Sequence, residues 1–124
     1  MGKAIERFED VTAWQRARDL TRRIYEVSSK EPFVKDFALR DQIRRSALSV
    51  MSNIAEGFDR HIDTEFAYFL RVAKASCGEV RSQAYVASDL GHIDPIVFEE
   101  LLAATTEVAR VIHGFQSYLN QTRD

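Results

Sequence analysis

Between Leu39 and Arg60 the chain reads LRDQIRRSALSVMSNIAEGFDR, and its apolar residues Leu39, Ile43, Ala47, Val50 and Ile54 recur every three or four positions. That spacing draws one stripe along an α-helix of about six turns, and a strand, whose side chains alternate, cannot use it. A second row at the same spacing, Gln42, Arg45, Ser49, Asn53, Glu56 and Arg60, carries amides, a hydroxyl and opposite charges where a solvated helix carries interchangeable Lys and Glu. An apolar stripe must be buried against another element, so the rest of the chain has to supply partners for it.

The partners are three more helices. Thr12 and Gln15 have the spacing of a capping box, and Ala17, Leu20, Ile24 and Val27 then fall on one face of a first helix ending near Lys30. Glu31-Pro32 breaks it, because proline disfavours the helical conformation of the preceding residue. Phe33 and Phe37 are expected to plug the bundle end, and Asp36 to cap the second helix, which runs to Glu56 or just past Gly57, the residue suited to a left-handed stop. Asp63 or Thr64 caps a third, whose stripe is Phe66, Leu70, Ala73, Cys77, Val80, Ala84 and Ala87, with Gly91 as its stop. Asp94-Pro95 opens a fourth, with Phe98, Leu101, Thr105, Val108, Ile112, Phe115 and Leu119 in heptad register. No run resembles a strand, and short connections make neighbouring helices antiparallel. The fold expected is all-α, an antiparallel up-down-up-down four-helix bundle forming one domain over residues 1–124.

Tyr68, Val72, Val86 and Leu90 draw a second apolar stripe on the third helix, and Ala104, Val111 and Tyr118 widen the fourth. A helix apolar on two sides is usually buried on two sides, so self-association is expected. Gly78 and Gly114, inside helices, fit close helix approach. In an assembly, the polar row of the second helix is a candidate stripe for fixing subunit register through its directional hydrogen bonds.

Seventeen basic and nineteen acidic side chains give a net charge of −2, which argues against non-specific nucleic-acid binding. The charge is uneven: residues 12–30 are basic and 94–124 acidic, so a dipolar subunit is expected. Arg16 and Arg23 with Arg40 and Arg44 are the candidate nucleic-acid contacts, forming a phosphate-facing ridge if the first two helices adjoin. Against that, Asp19 with Arg23 and Glu26 with Lys30 stand at i,i+4 and can pair, and no aromatic residue interleaves for base stacking. A solvated, self-paired face is favoured.

The only cysteine, Cys77, lies in an apolar stripe and reads as a core residue. His61, His92 and His113 do not converge, and no Glu-x-x-His pair, activated nucleophile or phosphate-cradling loop is present. No catalytic residue, cofactor or metal is expected. The sequence shows no apolar leader, lipidation motif or membrane-length span, so a cytoplasmic location is expected.

Several blocks together carry a family likeness: Phe8-Glu9-Asp10 with Trp14-Gln15 and Ala17-Arg18; Gln42-Ile43-Arg44-Arg45-Ser46-Ala47; Ser49; Asn53-Ile54-Ala55-Glu56-Gly57 with Arg60; and Glu65-Phe66 through Phe69-Leu70 and Ala73. On these the chain resembles the bacterial four helix bundle protein family, also described as 23S rRNA intervening-sequence proteins. Lys74-Ala75-Ser76-Cys77-Gly78-Glu79 departs from it, placing glycine later than the family's usual Gly-Ser pair. The resemblance implies a cyclic homo-oligomer, a homopentamer, and one branch is similar to the accessory protein of diversity-generating retroelements, which binds a reverse transcriptase and nucleic acid. That branch is basic, whereas five copies of this chain at −2 each carry −10. The function expected is a non-enzymatic homo-oligomeric scaffold or adaptor for a protein or nucleoprotein partner. The alternative is an RNA-binding accessory factor.

Overall fold

The computed structural model describes residues 5–122. Among them are a 3-10 turn at Phe8–Asp10, α1 (Thr12–Ser28), a second 3-10 turn at Phe33–Lys35, α2 (Phe37–Asp59), α3 (Asp63–Asp89) and α4 (Pro95–Thr122), with no strand. Each helix packs against the next, and α4 returns to α1, so the four form a ring around one core. All seven apolar positions expected on α3 are buried. On α4, Leu101, Val108, Ile112 and Leu119 are buried with the hydroxyl of Thr105, while Phe98 and Phe115 pack at the core's edge.

The helix ends obey the expected chemistry in some places and not in others. Asp36 Oδ1 accepts from Leu39 N at 3.2 Å, and Asp94 Oδ1 from Val97 N at 2.8 Å, each satisfying an orphan donor of a first turn. Thr12 and Gln15 form no capping box. Val11 occupies the cap position of α1, and Gln15 Nε2 instead donates to Glu9 O at 2.9 Å, tying the 3-10 turn to the helix. Neither Asp63 nor Thr64 caps α3; Ile62 stands there without a side-chain bond, and Asp63 and Glu65 lie in the first turn, where negative charge suits the helix dipole. Helix α1 stops at Ser28, two residues short of Lys30.

Phe33 is fully buried, but Phe37 is 63% exposed, its ring beneath the Arg40 guanidinium at 4.9 Å, so only Phe33 plugs the bundle end. Gly57 does not stop α2. The helix continues to Asp59, and the left-handed residue beyond it is His61, at φ 57°. Gly57 is where α2 touches α3: a Cβ there would lie 2.6 Å from Phe69 Cβ and 3.0 Å from Phe66 Cδ1. Gly78 and Gly114 show the reverse, because a Cβ at either meets nothing within 4 Å, so neither serves helix approach within the chain.

Candidate functional site

The polar row of α2 divides into three parts. At its centre, Ser49 Oγ lies 2.8 Å from Ser76 Oγ on α3, and Asn53 Nδ2 donates to Ser49 O at 2.8 Å and Ser49 Oγ at 3.0 Å. These groups lock α2 to α3. Toward the C-terminal end, Arg60 pairs with Glu56 at 2.7 Å and with Glu65 at 3.4 Å, its guanidinium 5.1 Å from the Phe69 ring centre. Only Gln42 and Arg45 lie exposed with side chains that make no hydrogen bond among the described residues. Across the helix pair, Gln83 Oε1 on α3 is buried without a partner among those residues.

The four candidate nucleic-acid arginines do not form one ridge. Arg16 and Arg23 face α4, where Arg16 approaches Glu107 at 4.0 Å and Arg23 meets Glu100 at 2.6 Å. Their partners on α1 are Asp19 and Glu26 at i,i+3, in place of the i,i+4 pairs expected. The Glu100 carboxylate holds the Arg23 guanidinium in its charged form, raising its pKa. Arg40 pairs with Asp41 at 2.9 Å and donates to Val34 O at 3.1 Å. Arg44 donates to Ser28 Oγ at 2.8 Å and Ser29 Oγ at 3.0 Å and lies 4.6 Å from the centre of the Tyr25 ring. The physical reason is topology: α1 sits between α2 and α4, so one row of its cations faces the acidic helix while Arg44 of α2 grips its C-terminal end. The basic and acidic segments expected to make the subunit dipolar are neighbours, and they partly neutralise each other.

A polar cluster at the bundle end joins two connections, the one between α1 and α2 and the one between α3 and α4. His92 Nε2 lies 2.9 Å from Asp36 Oδ2, and its ring stacks on buried Phe33 at 5.3 Å. The imidazole, followed by the cap bond from Leu39 N, draws the Asp36 pKa below the ordinary aspartate value. His92 Nδ1 is buried with no partner among the described residues. A distance of 56 positions hides this pair from any local pattern, though an up-down topology does return the α3–α4 loop to the start of α2. Cys77 Sγ donates to Thr105 O at 3.3 Å, and burial pushes the thiol up to about 11, so it is no nucleophile at neutral pH.

A family model described as 23S rRNA-intervening sequence protein matches residues 9–114. The chain belongs to that family. A crystal structure of a protein of unknown function from the S23 ribosomal protein family of Bacteroides thetaiotaomicron VPI-5482 has a TM-score of 0.78 at 20% identity. The match covers 86% of this chain and 96% of that one, and shows a shared fold. No curated protein matches.

Within the chain, the blocks that carried the likeness meet in space. Gly57 closes the Asn53-to-Gly57 block, and the residues it touches, Phe66 and Phe69, belong to the block that opens α3. The Gln42-to-Ala47 block supplies Ile43 and Ala47 to the core and Arg44 to the end of α1. Among the described residues no helix is long and apolar enough to cross a membrane.

Proposed function

We propose that this protein is a non-enzymatic, self-associating helical scaffold, a ring of copies, five by family likeness, that acts as an adaptor for a protein or nucleoprotein partner. The observation that carries this reading is on α3. Tyr68, Val86 and Leu90, 52%, 44% and 57% exposed, repeat at intervals of eighteen and four along one line of the helix, a stripe that nothing among the described residues covers. Tyr118 on α4 is likewise 59% exposed. Aromatic and aliphatic side chains in such a row gain most by leaving water together. Gln42 and Arg45, exposed on α2, and the orphaned Gln83 Oε1 on α3 are polar groups that a neighbouring copy can satisfy. The alternative of RNA contact through Arg16, Arg23, Arg40 and Arg44 draws no support from side chains already engaged within the chain.

Light scattering on a size-exclusion column tests the reading. The expected mass is a multiple of 14.2 kDa, falling to one subunit in a Val86→Lys, Leu90→Lys variant that keeps its helical circular dichroism. A folded single subunit at high protein concentration would end it.

A further inference from the structure

At the end of the bundle opposite His92, where α2 stops and α3 begins, an open cavity of about 880 Å³ lies against the last turns of α4. Four aromatic rings line it in an unbroken run: Phe58 to Phe66 at 5.8 Å between ring centres, Phe66 to Phe115 at 5.2 Å, and Phe115 to Tyr118 at 6.2 Å. Successive ring planes are steeply inclined, by 80°, 60° and 82°. An aromatic face carries partial negative charge, so a wall of such rings attracts cations as well as apolar groups.

Two charged side chains also line the cavity, and only one of them is uncompensated. Arg110 is held by Glu107, its Nη2 lying 2.8 Å from both carboxylate oxygens and its Nε 3.1 Å from Oε2. Asp63, in the first turn of α3, has no cation within 4.0 Å among the described residues. Gly114 lies on the same wall from the interior of α4, where glycine weakens a helix relative to alanine. A Cβ there would meet nothing within 4 Å, so no packing contact among the described residues requires glycine at this position, and its bare Cα leaves the cavity open.

We propose that this cavity binds a small organic cation, an ammonium group on an apolar or aromatic body, with its charge shared between the Asp63 carboxylate and the ring wall and its body over Gly114. The volume suits a small molecule, and sites for such ligands are mostly apolar with a few polar groups that fix orientation. The sign of the ligand's charge follows from the lining. The uncompensated group is negative and the ring faces add to it, so an anion of the same shape is repelled and a neutral analogue gains only the apolar part. All these groups belong to one chain. Val86 and Leu90 stand about 20 residues or more along α3 from Phe66, roughly 30 Å at 1.5 Å per residue, so the inference stands apart from self-association through that stripe.

Nuclear magnetic resonance titration of the full chain tests the site, reading the ring signals of Phe58, Phe66, Phe115 and Tyr118. The probes are phenethylamine, protonated at neutral pH, neutral phenethyl alcohol and anionic hydrocinnamate, which share one aryl frame and differ in charge. The amine should bind about 2- to 30-fold tighter than the alcohol, the range a cation gains from exposed to desolvated ring faces, and hydrocinnamate should bind weakest. Asp63→Asn and Tyr118→Leu should each shrink the preference for amine over alcohol. Gly114→Leu fills the cavity where a side chain meets no obstacle and should abolish the shifts, while Gly78→Leu, the same change elsewhere, should leave them intact. Equal binding of amine and alcohol, tighter binding of hydrocinnamate, equal loss in Gly78→Leu and Gly114→Leu, or no movement of these ring signals at millimolar amine would overturn the proposal.

Discussion

Substituting alanine for glycine at positions 57 and 78 makes the same chemical change inside two helices and should move stability in opposite directions. At Gly57 the new methyl would sit 2.6 Å from Phe69 Cβ, an atom fixed to the α3 backbone, and 3.0 Å from Phe66 Cδ1. Carbon atoms pack at about 3.5–4.0 Å, so α2 and α3 must part locally by about 1 Å. Overpacking of that kind costs about 1–3 kcal/mol, against a gain of up to about 1 kcal/mol from alanine's better helix propensity. The net expectation is a loss of about 1–2 kcal/mol. At Gly78 a Cβ meets nothing within 4 Å, so the propensity gain stands alone and Gly78→Ala should stabilise by up to about 1 kcal/mol. Urea unfolding followed by helical circular dichroism reads both, at one fixed protein concentration, because association would otherwise shift the apparent stability. For a chain of this size each kcal/mol corresponds to roughly 3–6 °C in Tm. A Gly57→Ala protein as stable as the parent would refute the close-contact reading of that glycine. A destabilised Gly78→Ala protein would refute the open space assigned to the other.

The Asp36–His92 pair makes stability depend on pH with a definite sign. The Asp36 carboxyl titrates below its ordinary value in the folded chain, so the stability it contributes is present above the unfolded aspartate pKa and is lost as pH falls through the folded one. Asp36→Asn keeps a side chain able to cap α2 but removes that charge. Its deficit against the parent in urea midpoint should be open at pH 6 and narrow on acidification below pH 4, and a deficit that widened there would contradict the assignment. Cys77, buried with its thiol pushed up to about 11, should ignore a disulfide reagent at pH 8 until the bundle unfolds. Immediate reaction of the folded protein at a free-thiol rate would show that the α3–α4 packing around it is wrong.

Most of the architecture was legible because helix formation and apolar burial share one period. Each buried residue named on α3, and each cap at Asp36 and Asp94, follows from patterns a few residues long, within reach of local reading. The misreadings share a cause. Gly57 stands near the end of an apolar pattern, as a helix-stopping glycine does, and nothing within five residues distinguishes that role from a close helix contact. Thr12 and Gln15 have capping-box spacing, but the 3-10 turn at Phe8–Asp10 brings Glu9 O to Gln15 first.

The candidate site was less legible than the fold. The polar row on α2 is visible in the sequence, but whether Ser49 and Asn53 face a neighbouring copy or α3 depends on Ser76, 27 positions from Ser49. Charge and spacing make the four arginines look alike in the sequence, and the elements packed around each decide what it meets.

The amino-acid order by itself determined the four helices and the stripe each must bury, since periodicity and stop signals act over a few turns. Only the tertiary structure decided which cations are neutralised, which glycine touches a neighbour and which apolar row stays uncovered. Those outcomes depend on pairs of side chains tens of positions apart, brought together by the ring of four helices and by no local preference.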